Sequence, residues 1–543
     1  LSKLRDWVIQ YVERRDPAEA DRPAVTVPLL LFLGAVVLGL AAARGGFGAK
    51  GLSYDFAHQA LLIASGRIAE TPRDHLMWPP GYPIAMVPLI WLGIPALRAA
   101  WFVSIAAFGA TVAMTFLLGR RLGSAALGLG TALLLLLNAD MLERAAMPLS
   151  DMLFTASVLA ALLAFDGFYV RWRTDSQEIT WGRVVTTSFF LATPTYIKYI
   201  GVVVPLLALG SLCVLAFASG KKPAPVAVLV LSAAALVAAL PLRNVLLGGS
   251  ATGHPVGAEP ADTLWSAASE ALMLLRTMWF FLAERLPRSL VDVATALVLT
   301  GVALSGSRRA RWVVASWVTV VYLTALCWIA SHTRIDKMHD RFLLPIVPVM
   351  VLVIWAALTS AIRAPSTGKI IRGAAVTIAL IAAIAGGVGM SRGLALLVRG
   401  YQPDSDYSPS TIAFIREHVP PGSGLAVNGR QLAAHTLAYR EVVMPWTEPG
   451  EDNWPKAYGI APWRRAEALR SFLAEDIHYV VLFLGPSGDY RSLRRAYPGD
   501  YIASTLVKER LPEIASVTRL RDGIVIGLAD RGHLQDALRE AED

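Results

Sequence analysis

The sequence predicts a polytopic α-helical membrane protein of about eleven transmembrane helices, closed by a C-terminal extracytoplasmic α/β domain. Three observations predict it. The 543 residues are 55% hydrophobic and only 17% charged, where a soluble domain carries about 25% charged residues. Apolar runs of spanning length recur as far as residue 390 and then stop. Lysines and arginines crowd into every second connection between those runs, the pattern of cytoplasmic loops.

The runs fall at 23–43, 99–119, 122–139, 149–170, 184–197, 199–219, 223–242, 289–307, 312–331, 342–362 and 373–390. Residues 1–22 carry charges of both signs, so the first run reads as an uncleaved helix, with "AAA" at 41–43 as the alternative cleavage site. The fifth run is short and contains Pro194, which predicts a broken or tilted helix. Segment 81–97 is apolar but proline-rich and reads as a short interfacial helix. So does 262–286, with Trp265, Trp279 and Phe280.

With the N-terminus cytoplasmic, the inside connections hold Arg120 and Arg121, then Arg171, Arg173 and Arg183, then Lys221 and Lys222, then Arg308, Arg309 and Arg311, and last Arg363, Lys369 and Arg372. The outside connections are longer and mixed. They hold Asp55, His58, Arg67 and His75, then Glu143, Arg144 and Asp151, then Tyr196 and Lys198, then Arg243, Asn244 and His254, and finally "SHTRIDKMHDRFLLP" (331–345). Ionisable groups beside a membrane are costly unless paired or used, so a site on that face is expected.

Residues 1–390 form the membrane domain on this reading and 391–543 the outside domain. In the latter, "GLAVNG" (424–429), "EVVMPW" (441–446) and "HYVVLFLG" (478–485) read as strands and "PWRRAEALRSFLAED" (462–476) as a helix. The net charge of +9 suits cytoplasmic loops and lipid headgroups, and no basic stripe with interleaved aromatics points to nucleic acid. Cys213 and Cys327 both lie in apolar runs and suggest neither disulfide nor metal.

In the first outside loop, Asp55, His58, Gln59 and Leu62 follow i, i+3, i+4, i+7 spacing on one face of a helix, with Ala57, Ala60, Leu61 and Ala64 on the apolar side. Asp55 at the start of that helix suits a cap as well as a reactive acid. "WPPGYPIAMVPL" (78–89), which includes Tyr82, then returns the chain to the membrane.

These segments resemble a known family. "YDFAHQALLIASG" followed by "WPPGYPIAMVPLIWLG" looks like the first loop of the GT-C glycosyltransferases that use polyprenyl-phosphate sugars, among them protein O-mannosyltransferase-like and lipid A aminoarabinose transferase-like enzymes. "AAMPLSDMLFTASVLA" (145–160), "TPTYIKYIGVVVPL" (193–206), "LPLRNVLLGGSATGHP" (240–255) and "DRFLLPIVPVMVLV" (340–353) are similar to that family's later motifs, in the same order and on the same side.

The resemblance implies a multi-pass protein of the bacterial inner membrane. It implies a polyprenyl-phosphate-sugar donor, a glycan, lipid or protein acceptor, and inverting transfer at the outer face. Asp55 matches the family's first-loop acid and is the expected base. Asp151 is expected to bind acceptor or position Asp55, with a helix cap as the plain alternative. Lys198, Arg341 and Arg243 are the expected donor-phosphate ligands. Their plain alternatives are a snorkelling lysine, an exposed ion pair with Asp340, and an interfacial anchor. His58 and His339 are alternative bases or substrate contacts, joined by Tyr82 and Tyr196. Many family members carry a second acid directly after the first; here that residue is Phe56, and no bound metal is expected. A transporter or flippase of lipid-linked sugar is the competing reading, against which stand the absence of an internal repeat and the gathering of polar residues at one face. A receptor or scaffold with a ligand-binding outside domain would give the charged loops no reason to converge.

Overall fold

Helix α1 (Thr26–Ala42) is uncharged along its whole length and exposes Leu30 and Val37 on its outer side. In this computed structural model the described residues are 26–45, 51–71, 76, 78–174, 179–219, 223–247, 251, 263–279, 310–332, 340–363, 368–401, 408–428, 431–443, 465–484 and 511–542. A helical pair follows α1, α2 (Gly51–Ala64) against α3 (Gly81–Trp91), and both pack on the long α4 (Ala96–Leu122). The interfacial helix expected at 81–97 is therefore α3, and α4 begins before its apolar run does.

The run at 122–139 is not one straight span. It divides into α5 (Ala125–Leu136) and α6 (Ala139–Ala146), bent by 60°. The cause is local: the Asn138 side chain accepts from the Met141 backbone N–H at 3.0 Å and starts a new helix. After α7 (Asp151–Thr174), α8 (Trp181–Ile197) runs through Pro194 without ending there. The break comes at Lys198, whose backbone is extended. A 3-10 turn (Tyr199–Val202) then leads into α9 (Val203–Ser219). Gly201 lies against the Pro194 carbonyl, where any Cβ would collide, so this tight return needs glycine.

Helices α10 (Ala224–Leu246), α11 (Leu264–Trp279), α12 (Ala310–His332), α13 (Val347–Arg363) and α14 (Lys369–Arg399) complete the described bundle. Among the described residues six helices are long and apolar enough to cross a membrane, or seven if the α5–α6 pair is one span. That compares with about eleven expected. The expected span at 289–307 lies outside the described residues, and α1 is only 17 residues long. One continuous core runs through the bundle and includes Phe108, Phe154, Phe165, Trp172 and Leu352. The outer surface is apolar instead of polar: Phe217 is 88% exposed and Leu231 69%. Such a surface suits lipid and not water, and the chain is a multi-pass membrane protein.

The C-terminal part is a five-stranded sheet in the order β2-β1-β3-β5-β4. Its elements are α15 (Pro409–His418), β1 (Gly424–Val427), β2 (Arg440–Val443), α16 (Arg465–Ala474), β3 (Ile477–Phe483), β4 (Ile514–Leu520), β5 (Gly523–Leu528) and α17 (Arg531–Glu542). β1 pairs in parallel with β2 and β3, whereas β5 pairs antiparallel with β3 and β4. Strand alternation sends Val480 and Leu482 to the α16–α17 side and Val481 and Phe483 to the α15 side.

The sheet domain joins the bundle at a defined end. The Tyr401 N–H donates to the Ala42 carbonyl at 2.6 Å, and the Tyr401 ring packs with Ala43 and Ala146. The C-terminal ends of α1, α6 and α14 thus meet at one end of the bundle, where α7 also begins.

Candidate active site

Asp151 is the first residue of α7, and its carboxylate is buried. It does not cap its own helix. Oδ1 forms an ion pair with the Lys198 Nζ, and Oδ2 is buried with no hydrogen-bond partner. Lys198 reaches it because the chain is extended at that residue, between α8 and the 3-10 turn. Its ammonium lies 5.5 Å from the ring centroids of both Phe154 and Phe342. Phe154 comes from the first turn of α7, and Phe342 precedes α13. This lysine is mostly buried and paired, so it does not snorkel to headgroups.

Two further cations act on the same carboxylate, Arg144 and Arg341. The Arg341 guanidinium stacks over Phe342, 4.9 Å from the ring centroid. Arg144 is delivered by α6, and so by the bend at Asn138. The sequence placed it in an outside loop without a role. The signal was there in "NADMLERAA", an asparagine cap opening a short helix with an arginine in its last turn. Tyr322, fully buried, donates from its hydroxyl to the Phe342 carbonyl at 2.9 Å and fixes that segment from α12.

The segment between α1 and α4 covers this end. Asp55 lies in the second turn of α2, not at its start, which removes the helix-cap reading. It is half-buried, as is His58 one turn further along. The face expected to be polar turns inward at Gln59 and Leu62, 1% and 2% exposed. On either side of Asp55, Tyr54 and Phe56 are buried, and the Phe56 ring meets Trp78 at 6.1 Å and Tyr82 at 5.1 Å. The Tyr82 hydroxyl donates to the Ala100 carbonyl at 2.7 Å and lies 3.0 Å from Ser104 Oγ, so this tyrosine is tied into the bundle. Gly81 abuts the Tyr196 carbonyl, with an added Cβ only 2.5 Å away, which lets α3 start directly against the end of α8.

The cations of the middle connections form a second network. Arg243 Nη1 donates to Asn244 Oδ1 at 3.1 Å. The buried Asn244 amide in turn donates to the Tyr199 hydroxyl at 2.6 Å and the Ala251 carbonyl at 3.1 Å. Tyr199 donates to the Leu76 carbonyl in the first loop at 2.8 Å. The Tyr196 hydroxyl is engaged by the Leu236 carbonyl at 2.6 Å. Arg67 is held by Glu70, whose carboxyl it keeps below the usual range through their hydrogen bonds. His75, His254 and His339 lie outside the described residues, as does the side chain of Asp340.

The structure thus brings Asp151, Lys198, Arg341 and Arg144 into one cluster and places Asp55, His58 and Arg243 on neighbouring elements at that end. Among the described residues no group of three or more His, Cys, Asp or Glu side chains could hold a metal ion. Cations gathered at a buried carboxylate, Lys198 in contact and Arg144 and Arg341 acting on it through space, are suited to bind an anion, and the carboxylate to order a hydroxyl group beside it.

No known protein family matches the sequence, and no curated protein is similar to it. Solved structures match its shape. The chain superposes on apo ArnT from Cupriavidus metallidurans with a TM-score of 0.57, covering 93% of this chain and 98% of that one at 12% identity. The same protein bound to undecaprenyl phosphate gives a TM-score of 0.56 at 12% identity, with the same coverage. The Archaeoglobus fulgidus oligosaccharyltransferase in complex with Zn and sulfate gives 0.51 at 12% identity, over 88% of this chain and 71% of that one. The chain thus shares its fold with these two proteins.

Proposed function

We propose that this GT-C-fold protein is an inverting glycosyltransferase that moves a sugar from a polyprenyl-phosphate donor to an acceptor hydroxyl at the outer face of the membrane. The observation that carries the reading is the Asp151–Lys198–Arg341–Arg144 cluster, set at the same bundle end as the acid-bearing helix α2. The similar ArnT structure with undecaprenyl phosphate bound supports a lipid-phosphate ligand for such a fold. The N-terminus is cytoplasmic on this reading, the sheet domain lies outside, and the membrane is the bacterial inner membrane.

The residues divide the chemistry as follows. The acceptor oxygen attacks the anomeric carbon from the side opposite the phosphate. A C–O bond to the acceptor forms as the bond between the anomeric carbon and the phosphate oxygen breaks. The acceptor proton passes to the Asp55 carboxylate, a general-base contribution of about 10²–10⁴-fold. The bonding electrons leave with the phosphate oxygen, whose growing negative charge is met by Lys198 and Arg341, with Arg243 on the adjoining network. Asp151 holds Lys198 between the rings of Phe154 and Phe342 until the phosphate arrives. One displacement at one carbon inverts its configuration.

The test is direct. Purified protein is incubated with a panel of polyprenyl-phosphate sugars together with lipid, glycan and peptide hydroxyl acceptors, and transferred or released sugar and polyprenyl phosphate are followed by mass spectrometry. The wild type should consume one donor. Asp55→Asn should remain in the membrane and bind that donor yet lose transfer by about 10²-fold or more. A fully active Asp55→Asn protein would remove the base assignment, and a donor panel left untouched by wild type would remove the reaction.

A further inference from the structure

The sheet domain touches the bundle at a second place besides Tyr401, and that place is the helix bearing Asp55. Ala434, from the segment between β1 and β2, is 1% exposed and belongs to the core of the first loop, together with Tyr54, Phe56, Ala57 and Tyr82. Two residues earlier, Leu432 is fully buried in the sheet domain's own core beside Leu425 and Val427. The turn therefore has one residue seated in each body.

It is also built to be stiff. The His435 and Thr436 N–H groups both donate to the Leu432 carbonyl, at 2.9 and 3.2 Å. The Ala433 N–H donates to Glu441 Oε1 at 3.1 Å, which ties the turn to β2. The Gln431 side chain, 3% exposed, accepts from the Ser408 N–H at 2.8 Å, which ties it to the start of α15. On the other side, the clamped residues Tyr54 and Phe56 are the two chain neighbours of Asp55. On a helix they point about 100° to either side of it. Fixing both prevents α2 from rotating about its axis, the motion that would swing the carboxylate away.

We propose that the turn 431–436 is a strut by which the sheet domain locks the rotation of α2, making Ala434 a positioning residue for the Asp55 carboxylate. The inference rests on the proposed role of Asp55, but its mechanical part stands without it. With Tyr401 as the first anchor, Ala434 makes a second, and two separated anchors leave the sheet domain only rotation about the line that joins them. The sheet domain is then a working part of the transfer site and not a separate module.

Ala434→Arg forces a charge into this contact and tests the strut in the full-length protein. Amide exchange across 51–64 should rise, while that across β3 and β5 stays as in the wild type. With the donor that the wild type uses, kcat should fall about tenfold to a hundredfold, the cost of a small misplacement, while donor KM changes little. Ala434→Ser, nearly the same size, should restore both. Val517→Arg, on the exposed edge strand, is the control with neither effect. If the arginine variant does not accumulate, Ala434→Gly, which only removes the methyl group, should show the same pattern with kcat lowered about fivefold or less. Unchanged exchange across 51–64, or unchanged kcat with a loosened α2, overturns the inference. A wild-type protein that uses no donor but shows the exchange change fails the proposed reaction while leaving the mechanical lock intact.

Discussion

Helix α7 carries a buried acid near each of its ends, and the two are treated differently. Asp166 pairs with Arg121 at 3.4 Å, and that arginine is half-exposed and also donates to the Leu163 carbonyl at 3.0 Å. Asp151, about four turns away, pairs with a lysine that is only 16% exposed and lies between two aromatic rings. Arg144 and Arg341 act on it as well. The first arrangement is a brace between α4 and α7, whose cation water can still solvate. The second gathers several charges around one acid, with the paired cation itself kept from water. Such an arrangement contributes little to stability and is retained where a ligand completes it.

The largest effect that separates the two ends should come from removing each cation. Lys198→Met leaves Asp151 charged, buried and stripped of its pair, which costs about 3–5 kcal/mol. Arg121→Met removes a half-exposed partner and should cost about 0–1 kcal/mol. Thermal unfolding of the two variants in the same detergent measures both. Equal losses would erase the distinction between brace and site.

Next in size is the response to a lipid phosphate. In Asp151→Asn the carboxylate no longer competes for Lys198, and three cations face one another unneutralised. The empty variant should melt below wild type. Added polyprenyl phosphate should raise its melting temperature more than it raises that of wild type, by tight binding to the folded state alone. Asp166→Asn should show no such gain. A smaller ligand-induced shift in Asp151→Asn than in wild type would mean that the carboxylate assists the anion and does not compete with it.

Much of this end of the molecule was legible in the sequence because single residues announce it. Charged residues marked the connections between apolar runs, and "TPTYIKYIG" placed Lys198 at a helix break. What stayed hidden depends on contacts between distant segments. The bend that carries Arg144 to Asp151 comes from one capping asparagine inside an otherwise continuous apolar run, which hydropathy averages away. Helix α2 was expected to keep one polar face, through Asp55, His58 and Gln59, because its spacing is amphipathic. It is buried almost all round, since α3, α4 and the turn at Ala434 cover faces that no local pattern predicts. In the sheet domain, β1, β2 and β3 were visible as short apolar stretches. The β4–β5 hairpin was not read, although Asp522–Gly523 stands at its turn, because β4 mixes small, hydroxyl and charged residues (Ala515, Ser516, Thr518, Arg519) with few large apolar ones.

The inward turn of α2 yields a smaller prediction. Gln59 is 1% exposed, and its Nε2 has no hydrogen-bond partner. An unsatisfied buried amide costs about 1–3 kcal/mol, which an apolar group of similar shape avoids. Gln59→Leu should therefore raise the melting temperature of the ligand-free protein, whereas it should lower transfer if the amide serves substrate beside Asp55. A lowered melting temperature would show that the amide is satisfied and structural. The resulting pair of signs sets Gln59 with Asp151, among groups held ready, or with Asp166, among braces.

The smallest effect concerns the strut itself and has a definite sign. Burial, and then the nearby Arg416, hold the His435 imidazole below its ordinary value, which is about 6.5. The folded protein therefore resists protonating it, while the unfolded chain takes the proton near pH 6.5. Stability conferred by the neutral ring is complete above that value and is lost as the pH falls through the lower folded value. Amide exchange across 431–436 and across 51–64 should rise together on acidification below about pH 6.5. His435→Gln should flatten that dependence, and Asp530, which precedes α17 and is lowered by its bond to His533, should not share it. If the two segments loosen at different pH values, the turn and α2 are not mechanically coupled. If they move as one, the sheet domain's grip on the acid-bearing helix has an acid-sensitive latch one residue from its contact point.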